Sequence, residues 1–227
     1  MWTGPSASGV GSAADADRVA RDIIVVMDDV WVCFVGDSFV AGVGDSEFLG
    51  WAGRLAAGSA GVTLTMYNLG VRRETSSDIR ARWRAECTAR IPQGCDGRVV
   101  FSFGSNDTTV ENGATRVAPD VSVENLAAVL RECAASGWRP LVVGPPPMAD
   151  VEQNERTARL DRRFADVCAS AGVEYVGVFD ALVADAVWME EVRTGDGAHP
   201  DSGGYRAFAS LVRPGWERWI GTAAAVQ

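Results

Sequence analysis

Five short apolar runs recur along the chain, at 30–35, 62–69, 98–103, 141–143 and 174–178. Their length and apolar character predict strands buried on both faces. Between them the period changes. Leu126, Val129, Leu130 and Cys133 recur at i, i+3, i+4 and i+7, and Leu160, Phe164, Val167 and Cys168 at i, i+4, i+7 and i+8. Ile79, Trp83 and Cys87 form a third stripe, and Tyr205, Phe208, Ala209 and Val212 a fourth. Such spacing puts each set on one face of a helix. Asp150 and Gln153 have the spacing of a capping box, which predicts a helix start there. Strand and helix alternate throughout, so the pattern predicts an α/β fold with parallel strands and helices on both faces.

The flanks add little to this frame. Residues 1–26 are small and polar and read as a flexible N-terminal arm, while 27–227 read as one domain without an internal linker. Residues 1–22 lack the basic start and continuous apolar stretch of a secretory signal. No apolar run approaches the roughly 18 residues of a membrane span. A cytoplasmic protein is the expectation. The five Cys are an odd number without framework spacing. Cys33, Cys133 and Cys168 fall on apolar stripes and are expected to be buried free thiols, which is favoured over a Cys87–Cys95 bridge.

Charge narrows the chemistry. The formal net charge is -9, and all 21 basic residues are Arg. An acidic chain gains nothing from phosphate attraction, which argues against nucleic acid as a partner. Without Lys there is no Walker-type phosphate loop and no Schiff-base chemistry. A single histidine removes the His-rich metal-site readings, and no cofactor is expected. Paired-carboxylate glycosidase chemistry stays formally open, but no spacing favours it. Nothing in the sequence specifies an oligomeric state.

In an open α/β sheet, ligands bind beyond the carboxyl ends of the strands. The residues just after the runs therefore matter most. They are Gly36-Asp37-Ser38, Asn68-Leu69-Gly70, Gly104-Ser105-Asn106-Asp107 and, after the last run, Asp196-Gly197-Ala198-His199-Pro200. A serine, a glycine, an asparagine and an Asp/His pair thus converge on one edge. Acyl transfer to serine needs these parts: a hydroxyl, a base, an orienter for the base, and donors for the oxyanion. Ser38 sits at a strand-to-helix turn, where its own backbone N–H can face an anion. Gly70 offers a second N–H where a Cβ would obstruct substrate approach. The Asn106 amide offers a third donor. Asp196 and His199 are three apart, close enough for the carboxylate to hold one ring nitrogen and turn the other towards Ser38. Histidine is also the side chain best suited to general-base work near neutral pH, and His199 is the only one.

These blocks resemble the SGNH, or GDSL-type, esterases and lipases. The first reads VCFVGDSFVAGVGD, with Phe39 where the family name has Leu; the second reads YNLGVRRETSSDI, the third FSFGSNDT and the last DGAHPDSGGY. They run in the family's order from residue 31 to 205. The resemblance implies a three-layer α/β/α, flavodoxin-like domain with a five-stranded parallel sheet. It also implies metal-independent hydrolysis of a small-molecule carboxylic ester through an acyl-enzyme, with Ser38, His199 and Asp196 catalytic and Ser38, Gly70 and Asn106 forming the oxyanion hole. The segment 144–148, GPPPM, is similar to a loop that borders the pocket in bacterial relatives. The modest length leaves little room for a lid and favours short acyl or acetyl esters. A non-catalytic carbohydrate- or ligand-binding module on the same fold is the alternative from another class. An acyltransferase or thioesterase would use the same site.

Several neighbours read more plainly. Asp37 has no chemical role, Asp107 is a turn or helix cap, and Asn68 is either a strand-end turn or a support for the oxyanion loop. Gly42, Gly44 and Gly50 miss the GxGxxG spacing and read as turn glycines. Trp51, Trp188, Met148 and Met189 are core or pocket wall. The Arg72-Arg73 pair reads as a solvated loop in preference to a substrate clamp.

Overall fold

The computed structural model describes residues 29–221; the arm read at 1–26 lies outside them. Seven strands and eight helices are described. Strand β1 (Val30–Gly36) leads through the single helical turn α1 (Ser38–Ala41) to α2 (Gly50–Ala57) and β2 (Leu64–Gly70). Helix α3 (Ser76–Thr88), strand β3 (Asp96–Ser102) and a small hairpin, β4 (Val110–Glu111) with β5 (Ala114–Thr115), follow. The remainder runs α4 (Pro119–Ala135), β6 (Arg139–Val143), α5 (Val151–Ala171), β7 (Tyr175–Val176), α6 (Phe179–Ala184), α7 (Ala186–Thr194) and α8 (Ser202–Ile220).

The main sheet has five parallel strands in the order β2-β1-β3-β6-β7. Successive side chains of β1 point to opposite faces, and the two faces bury different partners. Val32 and Phe34 join Trp51, Leu55, Trp188, Phe208 and Val212 from α2, α7 and α8. Cys33 and Val35 join Ile79, Trp83, Leu126, Val129 and Phe164 from α3, α4 and α5. The expected α/β/α layering and five-stranded sheet are therefore present.

Three of the four predicted stripes are wholly buried. On α5, Leu160, Phe164 and Cys168 are buried while Val167 is only partly so. Trp51 and Trp188 are core, Met189 packs against that core, and Met148 is only partly buried. All five cysteines are free, and Cys95 alone is not buried.

Register explains why the motifs share an edge. Gly36, the last residue of β1, pairs with Gly70 of β2 on one side and with Ser102 of β3 on the other. The segments that follow all three strands thus leave the sheet at the same level. The strand order reverses at β1, whose chain continues to β2 on one side while β3 lies on the other. That is where such sheets open a crevice.

Some boundaries differ from the sequence reading. Strand β2 starts at Leu64, not 62, because Ser59 to Val62 form a turn closed by Val62 N–H to Ser59 O (3.4 Å). The 174–178 run yields only two strand residues, because Val178 already accepts from Leu182 N–H and opens α6. The capping box predicted at α5 is half formed. Asp150 accepts from Gln153 N–H (2.8 Å), but the Gln153 amide turns away to Ser105 O (2.9 Å). A full box stands instead at α3, between Thr75 and Asp78.

Candidate active site

Ser38 is the first residue of α1, two positions past the end of β1, an interior strand of the sheet. Asp37 caps this turn by accepting from Phe39 N–H (3.0 Å). The Ser38 N–H is one of the helix-start donors that have no partner within the helix. Ser38 Oγ lies 2.8 Å from His199 Nε2, and His199 Nδ1 lies 2.7 Å from Asp196 Oδ2. The two segments are 161 residues apart in sequence and meet at the edge of the sheet.

The loop carrying the histidine is held from several sides. Asp196 Oδ1 accepts from the N–H groups of Ala198 (3.0 Å) and His199 (2.8 Å). Burial opposes ionisation of Asp196, but the backbone and ring N–H of His199, with Ala198 N–H, hold its carboxyl down at about 2. Ala149 N–H donates to Gly197 O (2.9 Å), which ties the loop after β6 to this one. Phe39 packs beneath the imidazole with ring centroids 5.0 Å apart, and Trp188 stacks on Phe39 in turn. The Trp188 indole donates to Pro147 O (3.1 Å), so the 144–148 segment also supports the histidine. Gly44 passes the histidine at φ +91, and a Cβ there would lie 2.7 Å from Pro200 O.

Asn106 shares a cleft with Ser38, and Gly70 packs against Val40 and Ala41 of the turn that Ser38 opens. The Gly70 N–H donates to Asn68 Oδ1 (3.0 Å), while Asn68 Nδ2 donates to Val40 O (2.7 Å). Asn68 therefore bridges the end of β2 and α1. A Cβ on Gly70 would collide with the Ala41 backbone nitrogen and lie 2.7 Å from Ala41 Cα and Val40 C. Glycine is needed here for the close approach of α1. Asn106 Nδ2 donates to Glu74 O (2.9 Å), leaving its second amide hydrogen unassigned to that bond. Ser38, Asn106, His199 and Asp196 line one cleft of about 450 Å³. A larger groove of about 810 Å³ between α4 and α5 has no histidine in its walls. Chemistry, not size, identifies the site.

Asp107 caps at long range: its Oδ1 accepts from Ser76 N–H at the start of α3 (2.7 Å). Burial raises its carboxyl above the usual range, and burial likewise pushes Asp37 up to about 7, with Asp107 and Glu74 adding to the shift against the Phe39 N–H.

Other supports carry no signal in a local pattern. Arg82 of α3 donates to Gly36 O (3.1 Å) and Leu69 O (2.9 Å), clamping the ends of β1 and β2 together. Asn154 brackets Met148, accepting from its N–H (2.8 Å) and donating to its carbonyl (2.7 Å). Asp45 is paired with Arg54 and accepts from Gly50 N–H (2.6 Å), which fixes the 42–50 loop. Burial works against that carboxylate, but the Arg54 guanidinium and backbone donors hold it at about 2. In this loop Gly42, Gly44 and Gly50 all have positive φ, as the turn reading requires.

An Oγ–Nε2, Nδ1–carboxylate chain of this geometry is able to move a proton from serine to imidazole and to steady the imidazolium that forms. No group of three or more His, Cys, Asp or Glu side chains that could hold a metal ion occurs among the described residues.

Residues 34–207 match the GDSL-like Lipase/Acylhydrolase family. No curated protein sequence matches the chain. Among solved structures, the lipase/acylhydrolase from Enterococcus faecalis is similar at TM-score 0.67 with 21% identity, over 87% of this chain and 98% of that one. The Axe2 acetylxylan esterase from Geobacillus stearothermophilus is similar at TM-score 0.61 with 18% identity, over 84% and 94%. At such identities these structures speak for the fold. The family match spans most of the sequence: the chain belongs to the GDSL-like lipase/acylhydrolase family.

Proposed function

We propose that the protein hydrolyses a small carboxylic ester through a serine acyl-enzyme. The observation that carries this reading is the unbroken relay from Ser38 Oγ to His199 (2.8 Å) to Asp196 (2.7 Å) at the mouth of the crevice. Ser38 Oγ attacks the ester carbonyl while His199 Nε2 takes its proton. Asp196 keeps Nδ1 protonated and stabilises the imidazolium. The tetrahedral oxyanion is held by Ser38 N–H, Asn106 Nδ2 and Gly70 N–H, the last turning from Asn68 Oδ1. His199 then protonates the leaving alcohol, and water completes the cycle in reverse.

Two structures of the Geobacillus esterase, one with a serine and one with a histidine replaced by alanine, are described as catalytic mutants, which supports the same roles here. The cleft of about 450 Å³ is small, in keeping with a short acyl or acetyl group. Five unpaired thiols favour a reducing compartment such as the cytoplasm. Among the described residues no helix is long and apolar enough to cross a membrane.

The test is turnover of a series of p-nitrophenyl esters of rising chain length. The reading predicts fastest turnover for acetate or butanoate and near-complete loss in Ser38→Ala. A Ser38→Ala protein with wild-type rates overturns it.

A further inference from the structure

The second resemblance block departs from a plain loop at Arg72-Arg73. Residues Val71 to Glu74 form a turn closed by Glu74 N–H to Val71 O (3.4 Å). Arg73, at the third position of this turn, has φ +69. Glycine adopts that conformation freely, whereas an arginine there is strained. Backbone strain of this kind clusters at functional sites, and at Arg73 it falls beside the cleft that holds Ser38.

The turn presents both guanidiniums to the site. Arg72 and Arg73 line the cleft that holds Ser38, and Arg116, from just beyond the β4–β5 hairpin, faces them in the same cleft. Arg72 also lines the adjoining hollow beside His199. Their charge partners stand off. Arg73 is 3.7 Å and Arg116 3.6 Å from the same Glu111 oxygen, and Arg72 is 3.7 Å from Asp196 Oδ2. Those separations exceed hydrogen-bond length, so the donor forks of Arg72 and Arg73 are electrostatically placed but not saturated. Three carboxylates balance the three cations. Two of them are committed elsewhere: Asp196 to His199 and two backbone N–H groups, and Asp150 to the α5 cap. Only Glu111, half-exposed on the hairpin, is left to share between Arg73 and Arg116.

Resting on the esterase reading above, we propose that Arg72 and Arg73 select esters whose alcohol portion carries an anionic group, a carboxylate, sulfonate or phosphate. The alcohol side follows from the chemistry. The leaving oxygen must lie within reach of His199 Nε2, and Arg72 stands on the Asp196–His199 side of the cleft. Guanidinium forks match oxyanions in pairs of parallel hydrogen bonds, with Glu111 as the counter-ion the substrate displaces. In a chain of net charge -9, such a rim also overcomes the repulsion an anionic substrate would otherwise meet.

The test compares two aryl acetates, anionic 4-acetoxybenzenesulfonate and neutral 4-(methylsulfonyl)phenyl acetate, in the wild type, Arg72→Ala and Arg73→Gly. Arg73→Gly suits the left-handed backbone, so the turn keeps its shape. The ratio of kcat/KM values, sulfonate over sulfone, should fall by roughly tenfold in each variant, the scale of one charge-assisted contact in a partly solvated cleft. The loss should appear in KM for the sulfonate and shrink as salt is added. A ratio unchanged within about twofold, or an equal loss on both esters, overturns the proposal. Failure of the esterase reading looks different: neither ester is turned over by the wild type.

Discussion

Gly70→Ala isolates position from chemistry at the proposed oxyanion side of the site. The substitution keeps the backbone N–H proposed to bind the oxyanion, so the donor inventory is unchanged. What changes is space. The new methyl would overlap the Ala41 backbone nitrogen and sit 2.7 Å from Ala41 Cα and Val40 C, all main-chain atoms of α1. No side-chain rotation relieves that contact, so α1 or the end of β2 must move by about an ångström to restore ordinary van der Waals separation. Overpacking in a fixed core costs about 1–3 kcal/mol, and a clash with main chain belongs at the upper end. At this chain length about 3 kcal/mol lowers Tm by roughly 6–12 °C. Displacing Ser38 by about an ångström breaks the 2.8 Å contact with His199 and costs roughly 10²-fold in kcat. Urea or thermal unfolding followed by circular dichroism reads the first effect, and p-nitrophenyl acetate turnover at a temperature where the variant is folded reads the second. A Gly70→Ala protein that unfolds with the wild type and turns over at the wild-type rate refutes the steric argument.

Three other outcomes follow from the same contacts. Asn106→Ala should lower kcat by roughly 10²–10³, the usual loss for one oxyanion donor, with circular dichroism unchanged; a loss under fivefold removes Asn106 from that role. Burial holds the Asp37 carboxyl up at about 7 in the folded chain, against 3.8 ordinarily, so the folded state binds the extra proton between those values. Stability should therefore fall as pH rises from about 4 to about 7, and Asp37→Asn should flatten that slope in urea titrations; an unaltered slope assigns the effect elsewhere. Four of the five thiols are buried, with Cys133 and Cys168 pushed up to about 12 by burial. Native alkylation should thus modify Cys95 fast and the rest only on unfolding, which peptide mapping will show.

The parts of this structure that are legible in sequence are those fixed by burial on a regular period. β1 and β3 lie in the middle of the sheet and read as apolar runs because both faces are covered. The stripes of α3, α4 and α8 follow for the same reason. β2 is an edge strand whose residues 64 to 67 are only half-buried, so its start is blurred. The two-residue strands of the hairpin are too short to show a period, yet they deliver Glu111 and stand beside Arg116 at the cleft. Ser38, Asn106, Asp196 and His199 were visible because strand ends and motif order placed them together. Arg82 and Asn154 were not, since their bonds reach carbonyls set by the tertiary fold. The packing demand for glycine at position 70 is likewise not legible in sequence, because the α1 backbone that excludes its Cβ is placed by the tertiary fold.

The central claim is that Ser38 is a nucleophile activated by His199. A fluorophosphonate ester reacts covalently with such a serine, and intact-mass and peptide spectrometry locate the adduct. The account predicts one stoichiometric adduct, on Ser38, whose formation slows by orders of magnitude in His199→Ala. Folded protein that stays unlabelled, or an adduct on any other side chain, contradicts it.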